Sequence, residues 1–315
     1  MKKNKKAFTL LELVFVIVIM GIISKFGIEF LAQAYRSYIQ QQESSKLNDS
    51  SSIAAEYIAN LLKYRIKDSV IIRDTTNSDF KTNFKALEGE EAAKGYDLLE
   101  WIGYDIDGFR GDSNQKPLWS GILDKEYSHS SPTPTDLYSP ETNTSAINQY
   151  IEILSDKNSH IENSVIYIMS SDSDVMIDYG WNEENLTSQN YALHKIKKDD
   201  TNISKFLSAT SDDFTNLNLS LNDARYKLCW TAYAIKYDPG KNFDGNLTLY
   251  YDYQPWEGEN YTKGKKVLLM EHVSTFRKRQ SFNVIKIQIC TKSSILKKSS
   301  IDEEQFSICK EKTIY

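Results

Sequence analysis

Apolar positions follow three different rhythms along this chain. From Phe8 to Ser24 they are almost continuous, with one carboxylate, Glu12, near the start. A helix of that length rises about 26 Å, close to the ~30 Å hydrocarbon core of a bilayer. Lys25 follows, where its stem can lie in lipid while the ammonium reaches the interface. Beyond it the spacing becomes helical and amphipathic: Tyr35, Ile39, Ile53, Ala54, Tyr57, Ile58, Leu61 and Leu62 form an i, i+4 stripe. No proline occurs before Pro117, so the pattern predicts one long helix over 8–67, its first half in lipid and its second half packed on a domain. The polar run Asn48 to Ser52 is a candidate frayed turn.

The last ninety residues have period two. Leu228–Tyr237, Asn246–Tyr253, Val267–Phe276, Phe282–Thr291 and Phe306–Tyr315 read as strands separated by turn signals such as Asp238-Pro239-Gly240. Ile285, Ile287 and Ile289 alternate with Val284, Lys286 and Gln288, the pattern of an antiparallel strand with one face buried. The region predicts a meander of four or five strands with a long helix over one face.

Between these regimes, residues 68–227 are less regular. Val70–Ile72 and Ser164–Met169 read as short strands and Tyr150–Leu154 as part of a short helix. Tyr127–Asn148 is rich in Ser, Thr and Pro and is expected to be a surface loop, and Asn182–Phe214 is also loop-like. The expected organisation is a leader at 1–7, a transmembrane and assembly helix at 8–67, a variable α+β region with long loops at 68–227 and a β-sheet domain at 228–315. The fold class is α+β: a long N-terminal helix packed on a C-terminal antiparallel sheet, with an irregular middle insertion.

The leader changes the picture most. Lys2, Lys3, Lys5 and Lys6 precede Phe8-Thr9-Leu10-Leu11-Glu12-Leu13. This arrangement resembles the type IV pilin and pseudopilin signal. The resemblance implies cleavage by a prepilin peptidase between Ala7 and Phe8, then N-methylation of Phe8. Ala7 stands where the family usually has Gly, and Leu11 where Ile is usual. It further implies subunit assembly through Phe8 and Glu12, the Glu12 carboxylate pairing with the terminal amine of a neighbouring subunit. Two charges that are each costly in lipid then compensate one another.

Four leader lysines place the N-terminus in the cytoplasm by the positive-inside rule, with the domain in the periplasm and later on a fibre. Two plainer readings compete. One is a secretory signal peptide cut after Ala32-Gln33-Ala34, opposed by Glu12, Lys25, Glu29 and the length of the apolar run. The other is a simple signal anchor.

The strand block carries a looser resemblance, to J-type minor pseudopilins of type II secretion and PilW-like minor pilins. Its order is Tyr-Ala-Ile-Lys-Tyr, Leu-Thr-Leu-Tyr-Tyr, then Val267-Leu268-Leu269-Met270-Glu271-His272-Val273-Ser274-Thr275-Phe276 and a closing hairpin. The partners implied are the peptidase, other pilin subunits, an inner-membrane assembly platform and lipid around residues 8–24. The machine could serve type II secretion, competence (DNA uptake) or a type IV pilus. An adhesin or binding domain on a pilin-type stalk is the rival reading, resting on residues 68–227.

Charge and cysteines add limits. The chain has 38 basic and 43 acidic residues; without the four leader lysines the balance is −9, which offers nucleic acid no general attraction. Cys229, Cys290 and Cys309 leave one thiol over. Cys290 with Cys309 is the favoured bridge, a bridge from Cys229 or three thiols being the alternatives.

Candidate chemistry is sparse. Asp105, Asp107 and Asp112 around Gly108 and Gly111 resemble half of a calcium loop, but position 116 is Lys where an EF-hand needs Glu. A turn capped by Asp is the plainer reading, and no cofactor is expected beyond this candidate structural calcium. His129, His160, His194 and His272 are scattered, and no hydrolase or phosphate-loop motif occurs, so an enzyme is not expected. Asn143, Asn185, Asn202 and Asn246 each open an Asn-x-Ser/Thr triplet with an acid two residues earlier. That pattern resembles the acceptor of bacterial periplasmic N-glycosylation, against chance in an Asn-, Asp- and Ser-rich chain.

Overall fold

The computed structural model describes residues 9–76, 79–88, 95–111, 116–124, 135–169, 173–214, 217, 224–240, 244–292 and 307–315. By contacts the chain divides into two units, Met1–Ser50 and Ser51–Tyr315. One helix, α1 (Leu10–Lys63), runs through both. It ends four residues earlier than the apolar stripe predicts, and no break occurs at Asn48–Ser52.

In the first unit, every large apolar side chain from Leu10 to Leu31 is at least 43 % exposed. From Leu13 to Ile23 the helix is apolar all round, as a membrane span is and an amphipathic surface helix is not. Among the described residues it is the one helix long and apolar enough to cross a membrane.

In the second unit, Ala54, Ala55, Ile58 and Leu62 of α1 are buried, whereas Ile53 and Tyr57 are exposed. The buried stripe is therefore narrower than the sequence pattern implies. Its small residues allow close approach, and Ile58 and Leu62 each contribute about 2 kcal/mol by leaving water.

These side chains lie on an eight-stranded antiparallel sheet. Its strands are β1 (Ile71–Arg73), β2 (Phe84–Ala86), β3 (Leu98–Gly103), β9 (Thr231–Asp238), β10 (Gly245–Tyr251), β11 (Lys265–Ser281), β12 (Val284–Lys292) and β13 (Ser307–Ile314). The order is β13-β12-β11-β10-β9-β3-β1-β2. The C-terminal five strands form the expected meander. Ile285, Ile287 and Ile289 are fully buried, while their neighbours Val284, Lys286 and Gln288 are only half-buried.

Residues 68–227 are more ordered than their composition suggests. Three of their strands join the main sheet, through β3 paired with β9 (Leu98↔Lys236 to Gly103↔Thr231). Others build a second sheet of β4 (Asp136–Tyr138), β5 (Val165–Ile168), β6 (Leu193–Lys198), β7 (Lys205–Ser208) and β8 (Tyr226–Cys229), ordered β4-β7-β6-β5-β8. The expected boundary at 227/228 falls inside β8. The supposed loop at 127–148 contains β4 and the start of helix α3 (Thr144–Leu154), and that at 182–214 contains β6 and β7.

A short helix, α2 (Ile106–Arg110), links the two sheets in sequence. One apolar cluster, including Trp181, Tyr253 and Trp256, is shared by strands of both sheets. Another packs Ile147 and Ile151 of α3 against Ile166, Ile196 and Phe206 of the second sheet.

Candidate assembly site and surfaces of the globular unit

Thr9 precedes the first residue of α1, where the helix leaves its first N–H groups without partners. The Glu12 carboxylate accepts from the Thr9 backbone N–H at 3.0 Å and from the Thr9 hydroxyl at 3.0 Å. The Glu12 N–H donates back to Thr9 Oγ1 at 3.3 Å. This reciprocal arrangement is a capping box, whose sequence signature is Thr-x-x-Glu. The signal was available in Thr9-Leu10-Leu11-Glu12 and is additional to the charge pairing expected of Glu12. Ala7 and Phe8, the expected cleavage and methylation positions, lie outside the described residues.

Cys290 and Cys309 are directly opposed in the β12–β13 register, with Cα atoms 4.1 Å apart, and form a disulfide. Cys229 is a free, fully buried thiol whose ionisation is suppressed by burial.

Asp105 caps the N-terminus of α2 and Asp107 lies in its first turn. Asp105 Oδ1 accepts the Gly108 N–H as the helix N-cap, and Oδ2 accepts from Trp119 Nε1 at 3.2 Å. Burial pushes the Asp105 carboxyl up to about 6 despite these bonds. Asp107 lies 3.7 Å from Arg110 on the surface. Asp112 lies outside the described residues, and among those described no group of three or more His, Cys, Asp or Glu is placed to hold a metal.

Of the four acceptor-like asparagines, Asn185 and Asn246 are exposed. Asn185 Oδ1 accepts from Lys195 Nζ at 2.9 Å, and Asn246 sits on β10 opposite Asp238. Asn143 and Asn202 are half-buried, and their side-chain oxygens accept the N–H groups of Ala146 and Ser204. Asn143 thereby caps α3.

A surface not apparent from the sequence is an apolar groove of about 330 Å³ lined by Phe109, Trp119, Ile122, Met169 and Tyr226. The Phe109 and Trp119 ring centroids lie 4.8 Å apart with the planes tilted by 50°, and those of Trp119 and Tyr226 lie 5.5 Å apart at 37°. Its cationic members are Arg225 and Lys227, the latter 4.3 Å from the Tyr104 ring centroid. The contributing residues come from four separate stretches of chain, which explains why no local pattern announced them.

The family model for the prokaryotic N-terminal methylation motif matches residues 2–24. The chain carries a type IV pilin-like signal. No curated protein and no solved structure matches the chain. The matched span takes in the basic leader, Thr9, Glu12 and the apolar first part of α1, so the signal and the capping box coincide. Together with the all-round apolar helix this fits a single-pass, membrane-anchored protein of pilin type, processed by a prepilin peptidase and assembled with other pilin subunits.

Proposed function

We propose that the chain is a structural minor pilin or pseudopilin of the J-type (PilW-like) group. It is cut between Ala7 and Phe8, methylated at Phe8 and assembled at or near the tip of a type II secretion, DNA-uptake or type IV pilus fibre. The observation that carries this reading is the methylation motif at residues 2–24 leading into an apolar helix whose first turn presents Glu12. The N-terminus is cytoplasmic, with the globular unit on the far side of the inner membrane. The size of that unit supports a minor subunit, because bulky heads crowd a repeating helical fibre. The role is architectural rather than catalytic.

A second reading, an adhesin or binding domain on a pilin-type stalk, is favoured by the aromatic groove around Phe109 and Trp119. N-terminal mass spectrometry on protein from its native membrane tests the first reading. A chain beginning at N-methyl-Phe8 supports it, and a chain beginning at Tyr35 removes its basis. Binding of cell-surface glycans or whole cells by the globular unit, lost in Phe109→Ala, would favour the adhesin.

A further inference from the structure

The four asparagines that follow an acid and open an Asn-x-Ser/Thr triplet do not share one environment. A glycan on asparagine is bulky and belongs on the surface, so the acceptor carboxamide has to turn out of the protein freely. Asn143 caps α3 and Asn202 closes a turn on the Ser204 N–H, and both are half-buried. In the Asn202 triplet the hydroxyl of Ser204 is also occupied, donating to the Thr142 carbonyl at 2.9 Å. Asn185 is exposed, but its Oδ1 accepts from the ammonium of the buried Lys195. Turning that amide outward strips a hydrogen bond from a buried charge.

Asn246 is different. Its carboxamide and the Thr248 hydroxyl make no hydrogen bond among the described residues. Strand β10 alternates strictly here: Gly245, Leu247 and Leu249 are buried, Asn246 is exposed and Thr248 half-buried. Leu247 and Leu249 belong to the core that holds Ile58 and Leu62 of α1. Asn246 and Thr248 therefore lie on the opposite face of the sheet, and the exposed Asp244 continues the alternation just before the strand. All three members of the motif are presented together, on the side turned away from the α1 residues packed on the sheet.

The neighbouring strand accentuates this. Gly245 pairs with Val273 and Leu247 with Met270, so Glu271 and His272 together oppose Asn246. Such a bulge interrupts the ladder and re-aims the side chain beside it. His272, at φ of 60°, places its Nδ1 2.7 Å from Asp244 Oδ1 and so holds the acid next to Asn246. Asp244 remains 41 % exposed in that contact.

We propose that Asn246 is a site of N-glycosylation, with Asp244 and Thr248 completing the acceptor motif. The donor is an oligosaccharide joined through pyrophosphate to a membrane lipid, delivered by a periplasmic oligosaccharyl transferase. Asn246 Nδ2 attacks the anomeric carbon and a C–N bond forms. The C–O bond to pyrophosphate breaks, the lipid pyrophosphate leaves with the electron pair, and the amide nitrogen gives up one proton. This modification rests on the periplasmic placement of the globular unit proposed above. A glycan at Asn246 stands clear of the helix through which assembly is proposed.

The test is peptide mass spectrometry, with fragmentation to localise the modified residue, on the full chain from its native membrane. A saccharide mass should appear on Asn246, with Asn143, Asn185 and Asn202 bare. Asn246→Gln and Thr248→Val should each remove it while the far-UV circular dichroism spectrum stays that of the parent. Asp244→Asn keeps an acceptor for His272 but removes the charge, and should lower occupancy at least tenfold. A bare Asn246 in a chain beginning at N-methyl-Phe8 would overturn the modification and leave the pilin reading standing. A glycan on Asn246 in a chain beginning at Tyr35 would do the reverse. Glycans on Asn143 or Asn202 with Asn246 bare, or unchanged occupancy in Thr248→Val or Asp244→Asn, would also overturn the assignment.

Discussion

Arg73 Nε donates to Glu100 Oε1 at 2.7 Å, and both side chains are all but excluded from solvent. They sit on the paired strands β1 and β3, where Glu100 opposes Ile71 and so lies diagonal to Arg73. The pair is fully satisfied: Arg73 also donates to the Trp181 carbonyl at 2.9 Å and to the Phe80 carbonyl, and Tyr253 Oη donates to Glu100 Oε2 at 3.0 Å. The Phe84 ring lies under the guanidinium at 5.0 Å. Removing one charge leaves the other buried and unpaired, so Glu100→Leu should destabilise the globular unit by about 3–5 kcal/mol. Arg73→Met with Glu100→Leu should cost clearly less than the sum of the single changes. It should not return to zero, because the Tyr253 hydroxyl and two carbonyls stay orphaned. Urea denaturation of the four proteins in a double-mutant cycle measures this, and additivity would contradict it.

That network also marks where sequence reading stops. The C-terminal meander was legible because one face is buried and the side chains alternate, as Ile285, Ile287 and Ile289 show. Strand β3 is buried on both faces from Leu98 to Gly103, so it has no alternation, and the Glu100 within it reads as a surface residue until its partner 27 positions away is seen. Strand β6 hides in the same way: His194 and Lys195 look polar, yet both are buried, Lys195 being neutralised by Glu257 at 2.7 Å. The membrane helix and Glu12 were legible because lipid imposes a local rule on composition. The aromatic groove was not, since it depends on segments brought together by the fold.

The capping box separates two roles that Glu12 could play. Gln at this position keeps the reciprocal bonds to Thr9, since a capping box accepts Glu or Gln, but removes the charge. Glu12→Gln should therefore leave the helix and membrane insertion intact while assembly into fibres fails. Thr9→Ala should fray the first turn at a cost of about 1 kcal/mol and lower assembly only partly. Sheared-fibre yield beside membrane-fraction yield reads both effects. Normal assembly of Glu12→Gln would reduce Glu12 to a capping residue.

Thiol counting follows from the two cysteine environments. Native protein should react with no equivalents of a thiol reagent, because Cys229 is buried and Cys290 and Cys309 are bonded. Denaturation without reductant should expose one thiol, and with reductant three. The bridge closes a stretch with a sequence separation of 19, which in the chain-entropy account is worth about 3 kcal/mol. Cys290→Ser with Cys309→Ser should lose about that much stability, while Cys229→Ala should change the count by one and leave the bridge intact.

Lys278 should give the globular unit a distinctive alkaline profile. Its ammonium is buried on β11 with Nζ donating to the Tyr96 carbonyl at 2.6 Å, and burial pushes its pKa down to about 8, partly offset by the charge of Asp97. The ordinary lysine value is 10.5. Between these values the unfolded chain holds a proton that the folded chain has released, so stability rises as pH rises through that window. Below pH 8 both forms are charged and the full cost of burying the ammonium is felt. At ~1.4 kcal/mol per unit, the rise attributable to Lys278 is at most about 3 kcal/mol. Lys278→Met removes it, losing one hydrogen bond to Tyr96 worth about 1 kcal/mol. The variant should therefore be more stable than the parent at pH 7, with the advantage disappearing by pH 10. Urea titrations of both proteins from pH 7 to 10 decide the matter, and parallel curves would show that the ammonium is not desolvated as its burial requires.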